Sequence, residues 1–232
     1  MSEAAESKRT LKGEQARQRI LESALTLFAS KGYEETTMRE IAAQAGYSPG
    51  LTYRYFASKE ELVLQLYRDL CAELDQFTHD LTASSLPERF QVLITKQLEL
   101  MAPHREALSA LFGTALNARS NVGVFGKQTA EIRRRARLNY REVIAGAKDA
   151  PRAAQHDDLA TVLYAMHMGM ILFWLIDESR DTSRTWRLIA FLRDMLKLLL
   201  PILWLPPVAH ALVRLAAILG PMFGKDESPD ET

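Results

Sequence analysis

Three hydroxyl residues, Thr37, Ser48 and Ser58, carry the sharpest local chemistry in the chain: each precedes a run able to form a helix and can accept one of its unpaired amides. Thr37-Met38-Arg39-Glu40 has the spacing of a capping box, in which the threonine hydroxyl accepts from the Glu40 amide and the glutamate reaches back to the Thr37 amide. A helix therefore starts at Met38. Ile41, Ala42 and Ala45 give it a narrow apolar face, and Gly46 follows where a left-handed residue is needed. Ser48-Pro49 pairs a serine cap with proline at the first helical position, so a second short helix runs from Pro49 to about Tyr55. Ser58-Lys59-Glu60-Glu61 repeats the capping-box pattern and opens a longer helix with Leu62, Val63, Leu66, Tyr67 and Leu70 at helical spacing. The joint Ala45-Gly46-Tyr47-Ser48 is the short glycine-containing turn of a helix-turn-helix. Two short, steeply crossed helices of this kind can push one of them into the major groove of DNA.

Catalysis has no comparable seat. The sequence shows no nucleophile with its base, no phosphate-binding loop and no metal-ligand spacing, so no enzymatic activity, cofactor or metal is expected.

A platform for the helix pair lies upstream, where Ile20, Leu21, Ala24, Leu25, Leu27 and Phe28 form one buried stripe of a helix ending near Lys31-Gly32. Over roughly residues 14 to 74 the chain resembles the TetR-type transcriptional regulators. The resemblance is carried by Arg19-Ile20-Leu21, Phe28, Gly32-Tyr33, Thr36-Thr37, Ile41-Ala42, Ala45-Gly46, Gly50, Tyr53, Tyr55-Phe56 and Ser58-Lys59-Glu60-Glu61-Leu62. It implies that Thr37, Tyr53 and Lys59 hold DNA phosphates and position the domain without reading sequence. Base reading would fall to Tyr47, Ser48, Leu51 and Arg39, with Arg39 the best candidate for a bidentate guanine contact and Arg54 a further cationic candidate. Phe56 is expected in the core. The family often places a small polar residue and then a large apolar one after this glycine, whereas Leu51-Thr52 reverses that order. If Leu51 faces the groove it makes apolar contact, most plausibly with a thymine methyl, and Thr52 packs against Phe56; a slight rotation of the helix is the alternative. Read without the resemblance, Tyr53 and Tyr55 are equally half-buried aromatics, and Arg39 and Arg54 solvated charges.

The 29 basic and 29 acidic residues of the 232-residue chain cancel, which argues against a sequence-blind nucleic-acid coat. Lys8, Arg9, Lys12, Arg17 and Arg19 nevertheless read as a basic arm beside the helix-turn-helix, with residues 1–13 as the arm and 14–74 as the DNA-binding domain, its motif spanning 37–56. Met1 to Ser7 read equally as a disordered leader. The single cysteine, Cys71, excludes an intramolecular disulfide and is expected in the core; with no apolar stretch before Ile20, a cytoplasmic location is expected.

Beyond Leu74 the pattern is helical throughout, so the fold class is all-α, with a larger helical effector-binding and dimerisation domain over 75–200. Helices are expected near Pro87 to Met101, Arg105 to Arg119, Gly123 to Gly146, Gln155 to Glu178 and Asp181 to Leu200. The fourth of these is apolar on nearly every side and must be buried all round. Together with the fifth it can form half of a four-helix bundle completed by a second subunit, with Ala165 and Gly169 permitting close approach. The resemblance implies that these two helices, near 155–178 and 181–200, make a homodimer. Such a dimer would present two recognition helices about 34 Å apart to a double-stranded operator. The remaining helices should enclose a small-molecule effector pocket, for which Met101, Phe112, Met166, His167, Met170 and Phe173 are the candidates. Plain core is the competing reading for each, and a satisfied core histidine for His167, His79, His104, His156 and His210. Arg134, Arg137 and Arg141 share a helix face that could bind an anion, with a solvated face as the default. The segment 201–232 holds an apolar helix opened by Pro206-Pro207, too short and interrupted for a clean membrane span, then an acidic tail. It is expected to cover the bundle or pocket rather than contact a membrane, the alternative being a membrane-associated or lipid-binding protein that uses this segment. These features and the resemblance together imply a ligand-responsive regulator, expected to act as a repressor.

Overall fold

The computed structural model describes the backbone of residues 2–116, 123 and 126–223, and the side chains of 12–111, 123 and 126–223. Among these residues every regular element is helical: α1 (Ser2–Lys31), α2 (Met38–Ala45), α3 (Pro49–Tyr55), α4 (Lys59–His79), α5 (Leu86–Met101), α6 (Arg105–Leu116), α7 (Ala130–Ala145), α8 (His156–Ile176), α9 (Ser183–Leu199) and α10 (Pro206–Leu219), with 3-10 turns at several joints.

Around α2 and α3 the local rules hold closely. Thr37 and Glu40 form the reciprocal capping box, Gly46 ends α2 at φ 76°, and the Ser48 hydroxyl accepts from the Leu51 amide at 3.2 Å with Pro49 in the first turn. At Ser58 only half of the box exists. Its hydroxyl accepts from the Glu61 amide at 3.4 Å, but the Glu61 carboxylate turns away to Arg68 at 2.7 Å. Ile20, Ala24, Phe28, Ile41, Ala42, Phe56, Leu62 and Val63 close the small core that these helices share, each fully or almost fully buried. The stretch expected as a separate basic arm continues α1 as helix. Arg17 is no free cation in it: its Nη2 donates to Gln65 Oε1 at 2.6 Å and the guanidinium stacks over Phe56.

In the larger body α8 packs against α7 and α10, α9 lies chiefly against α5, and α4 joins the body through α7 and α5. α1 also packs along α6, so the head and the body share a second contact besides α4 itself. α7 begins at Ala130 rather than near Gly123, behind the 3-10 turn Lys127–Thr129. Arg89, buried, ties the α4–α5 connection to the end of α7. Its Nε donates to Val143 O at 2.9 Å and its Nη1 to Leu81 O and Thr82 O, and a Cβ at Gly146 would stand 2.6 Å from Nη2.

α9 does not open at Asp181. Asp181 and Thr182 sit at φ 53° and 51°, and the helix start is held by buried Asp177. Its Oδ1 accepts from the Ser179 amide and hydroxyl, its Oδ2 from the Thr185 amide and hydroxyl, at 2.7–3.0 Å. Burial alone would raise this carboxyl's pKa, but the four donors outweigh it and hold the group well below the usual carboxylate range.

The span Ala153–Ile176 is long and apolar enough to cross a membrane by length and composition, yet α8 is a core helix here, lodged between α7 and α10. Its burial in one chain is incomplete, against the expectation of burial all round. Gly169 is exposed with nothing within 4 Å of where a Cβ would stand, and Ile176 is 65% exposed.

Candidate nucleic-acid interface and ligand cavity

Thr37, Arg39, Ser48, Tyr53 and Arg54 of the helix-turn-helix are all exposed, on helices that also carry core residues. Arg39 makes no hydrogen bond or ion pair among the described residues. Tyr53 is 50% exposed, and the Arg54 guanidinium lies 6.0 Å from the Tyr55 ring. Tyr47 is half-buried and packs against the core, so its aromatic ring is partly committed to the turn. Leu51 is half-exposed while Thr52 is fully buried, its hydroxyl donating back to Ser48 O at 3.2 Å. Lys59 is more committed than its assignment to a phosphate suggests. Its Nζ donates to Tyr33 O at 2.8 Å and Glu34 O at 3.2 Å and stands 4.6 Å from the centre of the Tyr33 ring, pinning the α1–α2 loop. Two of its three ammonium protons are thus used before any DNA arrives. The Thr37 hydroxyl is likewise taken up by its capping box, and Glu40 is further paired with Lys31.

A cavity of about 140 Å³ lies in the body. α4 lines it with Tyr67, Leu70, Cys71 and Leu74, α5 with Gln97 and Met101, and α6 with Leu108; Thr129, Ile132, Arg133 and Ala136 come from the turn before α7 and from α7 itself. α8 supplies Tyr164, His167, Met168, Ile171, Leu172 and Leu175. The wall is largely apolar, with a few buried polar groups. Burial lowers the imidazole pKa of His167 to about 3, so the ring is neutral, and among the described residues neither ring nitrogen has a hydrogen-bond partner. Gln97 Oε1 also lacks one. The Nη1 of buried Arg133 donates to Gly126 O at 2.9 Å and Thr129 Oγ1 at 2.7 Å, and burial lowers its pKa. Burial pushes the Cys71 thiol up to about 12, so it is an inert part of the wall. Among the described residues no cluster of histidine, cysteine and carboxylate side chains could hold a metal ion.

Two family models match in tandem. Residues 20–66 match the bacterial regulatory proteins of the tetR family, and residues 89–201 match a tetracyclin repressor-like C-terminal domain. This chain belongs to the TetR family. Among curated TetR-type relatives, it is 34% identical over 95 residues to the HTH-type transcriptional repressor KstR2 of Rhodococcus jostii, covering 40% of this chain and 47% of that one. With KstR2 of Mycobacterium tuberculosis it shares 40% identity over 88 residues, 37% of this chain and 44% of the relative. The matched stretch spans about half the length of these curated relatives. A putative TetR-family regulator from Syntrophomonas wolfei shares the fold over 79% of this chain and 95% of its own, with a TM-score of 0.63 at 22% identity. The family's members are DNA-binding transcription regulators, not enzymes.

The expected interface residues lie on α2, on α3 and on the residues flanking them, with Tyr47 and Lys59 partly used by the fold itself. The expected effector residues do not fall together. Met101 and His167 line the cavity, Met166, Met170 and Phe173 are not among its lining residues, and the Phe112 side chain lies outside the described residues. His167 is buried but not satisfied, and His79 and His210 are exposed rather than core. The arginine face of α7 is spent on carboxylates, Arg134 on Glu131 and Arg137 and Arg141 on Asp157, while Arg135, off that face, pairs with Asp75. Gln97, Arg133 and Tyr164 were not foreseen as lining residues. Gln97 and Arg133 sit on amphipathic helices where a polar residue ordinarily marks the solvent side; the signal available was their position one or two turns from Met101 and Tyr140.

Proposed function

We propose that this chain is a sequence-specific DNA-binding regulator, a repressor that acts as a homodimer on a palindromic operator and lets go when a small molecule occupies the body. The observation that carries this reading is the asymmetry of α2 and α3, whose inner faces are core while Arg39, Ser48, Tyr53 and Arg54 stand exposed together. Residues 14–74 serve as the reading head, 75–200 as the effector and dimer domain, and 201–232 as an appended segment. Arg39 takes a guanine edge, Leu51 a thymine methyl, and Tyr47 and Ser48 the adjoining bases. Thr37, Tyr53, Arg54 and the remaining proton of Lys59 serve phosphates.

Dimerisation through α8 and α9 is supported by the open face at Gly169 and Ile176 and by Phe191 and Leu198, which are 57% and 69% exposed in the single chain. α4 starts in the head and forms one wall of the cavity, and α6, which also lines it, packs on α1. An effector that prefers one arrangement of these helices therefore biases the separation of the two heads. The test is selection from a pool of genomic duplexes against random competitor at moderate salt. A twofold-symmetric site should be enriched, and no enrichment would overturn the reading.

A second reading is favoured by the exposed Trp204, Val213, Ile218 and Met222: that α10 and its flanks lie in a membrane interface. Removing residues 206–232 should then release the protein from anionic vesicles, whereas a bundle cover would leave vesicle binding absent throughout.

A further inference from the structure

Beside the charged Arg133, two uncharged side chains in the cavity wall are buried with hydrogen-bonding atoms unmet. His167 is 3% exposed and neither ring nitrogen is bonded; Gln97 is 9% exposed, its Oε1 is unpaired, and its Nε2 reaches only the Met101 sulfur at 3.5 Å. Buried polar groups are ordinarily paired, and leaving one unmet costs its full desolvation. Both residues line the same space, and among the described residues no carboxylate lines it with them.

The unmet atoms are of mixed type. A neutral imidazole offers one N–H donor and one acceptor nitrogen, and Gln97 Oε1 is an acceptor. A carboxylate only accepts, so it would leave the acceptors unmet; a hydrocarbon would leave all of them. A hydroxyl both donates and accepts. The rest of the wall, from Leu70, Leu74, Leu108, Ile171 and Leu172, wants carbon rather than water. The space of about 140 Å³ is on the scale of cavities that accept a single benzene-sized ring.

From this geometry we propose that the cavity binds a small uncharged molecule with one apolar ring and one hydroxyl, the hydroxyl accepting from the His167 N–H and donating to Gln97 Oε1. The inference rests on reading the body as an effector domain and names the chemical class of its effector. Arg133 lines the same wall, with its Nη1 held by Gly126 O and Thr129 Oγ1, so an anion is the arm of the experiment that must lose.

Phenol, toluene and benzoate are titrated into the full chain by calorimetry. Toluene replaces the hydroxyl of phenol by a methyl of the same size. Phenol should bind at least about tenfold more tightly than toluene, and benzoate more weakly than phenol. His167→Phe and Gln97→Leu each replace an unmet polar group by an apolar one of similar shape, which leaves folding intact or improved. Each variant, checked by its melting transition, should bring phenol and toluene within about twofold of one another. Equal or tighter binding of toluene or benzoate overturns the proposal, as does a phenol preference that survives both substitutions, or no binding of phenol at all. Operator selection on the same preparation separates the two readings. A protein that selects its site but ignores phenol loses only the effector class, and one that prefers phenol but selects no site loses the regulator.

Discussion

Around α2 and α3, Thr37, Glu40, Ser48 and Lys59 each find a partner a few residues away or in the adjoining loop, whereas in the cavity both ring nitrogens of His167 and Oε1 of Gln97 find none. Those four side chains of the head are fixed by the fold itself. The body keeps polar groups in an apolar interior at a standing cost, which a bound molecule can relieve. A finished surface and an unfinished interior ask for different experiments.

The largest effect should come from breaking the finished side. Gly46 sits at φ 76° with only the Arg19 Nη2 near its missing Cβ, at 3.8 Å, so backbone conformation rather than space forbids a side chain. Gly46→Val should abolish selective operator binding, a loss of more than about 100-fold by gel shift, while the helical content of the body persists. An unchanged footprint would contradict the turn.

Next comes the unfinished side, read through pH. The His167 imidazole, lowered to about 3 by burial, stays neutral in the folded chain, while the unfolded chain takes up a proton below about 6.5. This contribution to stability is therefore complete above pH 6.5 and declines as pH falls toward 3. Relative to His167→Phe, the folding constant of the wild type should drop up to about tenfold per pH unit in denaturant titrations between pH 6 and 5. A parallel pH profile for the two proteins would mean that His167 is solvated.

Asp177 is the body's counter-example, a buried group fully met by its neighbours. Asp177→Ala should lower the melting temperature by roughly 5–10 °C at neutral pH, because the start of α9 loses its four hydrogen bonds. Its pKa is depressed, so the stability it supplies is present above the ordinary carboxylate pKa and fades only as pH falls below about 4.

The smallest and most discriminating effect divides the head itself. Arg39→Ala should cost about 1–3 kcal/mol at one base pair of each half-site and relax preference there. Tyr53→Ala with Lys59→Ala should weaken all operators alike and flatten the salt dependence. Since Lys59 also holds Tyr33 O and Glu34 O, that double variant should also melt slightly earlier.

The helix-turn-helix was legible because its determinants are local: a hydroxyl and a glutamate three residues on, a serine before proline, a glycine after the last apolar position. The cavity was not, and α8 shows why. Apolar on almost every side, it carries no directional signal, so Met166, Met170 and Phe173 read as well as Met168, Ile171, Leu172 and Leu175, and only packing against α7 and α10 selects among them. The α9 start was misplaced for a related reason. Asp181-Thr182-Ser183 looks like a cap, but Asp177, earlier in the chain, reaches across the turn to Thr185, a span of eight residues that no short capping pattern marks.

α4 has neither glycine nor proline between Lys59 and His79, so it behaves as one stiff rod with one end in the head and its middle against the cavity. At about 1.5 Å per residue, Cys71 lies roughly 18 Å along the axis from Lys59. A pivot of only about 5° about the cavity end would swing the Lys59 end by about 1.6 Å in each subunit, over that 18 Å arm. In the homodimer proposed above, movements of that size, added across the pair, would shift two reading heads relative to one another without unfolding either of them.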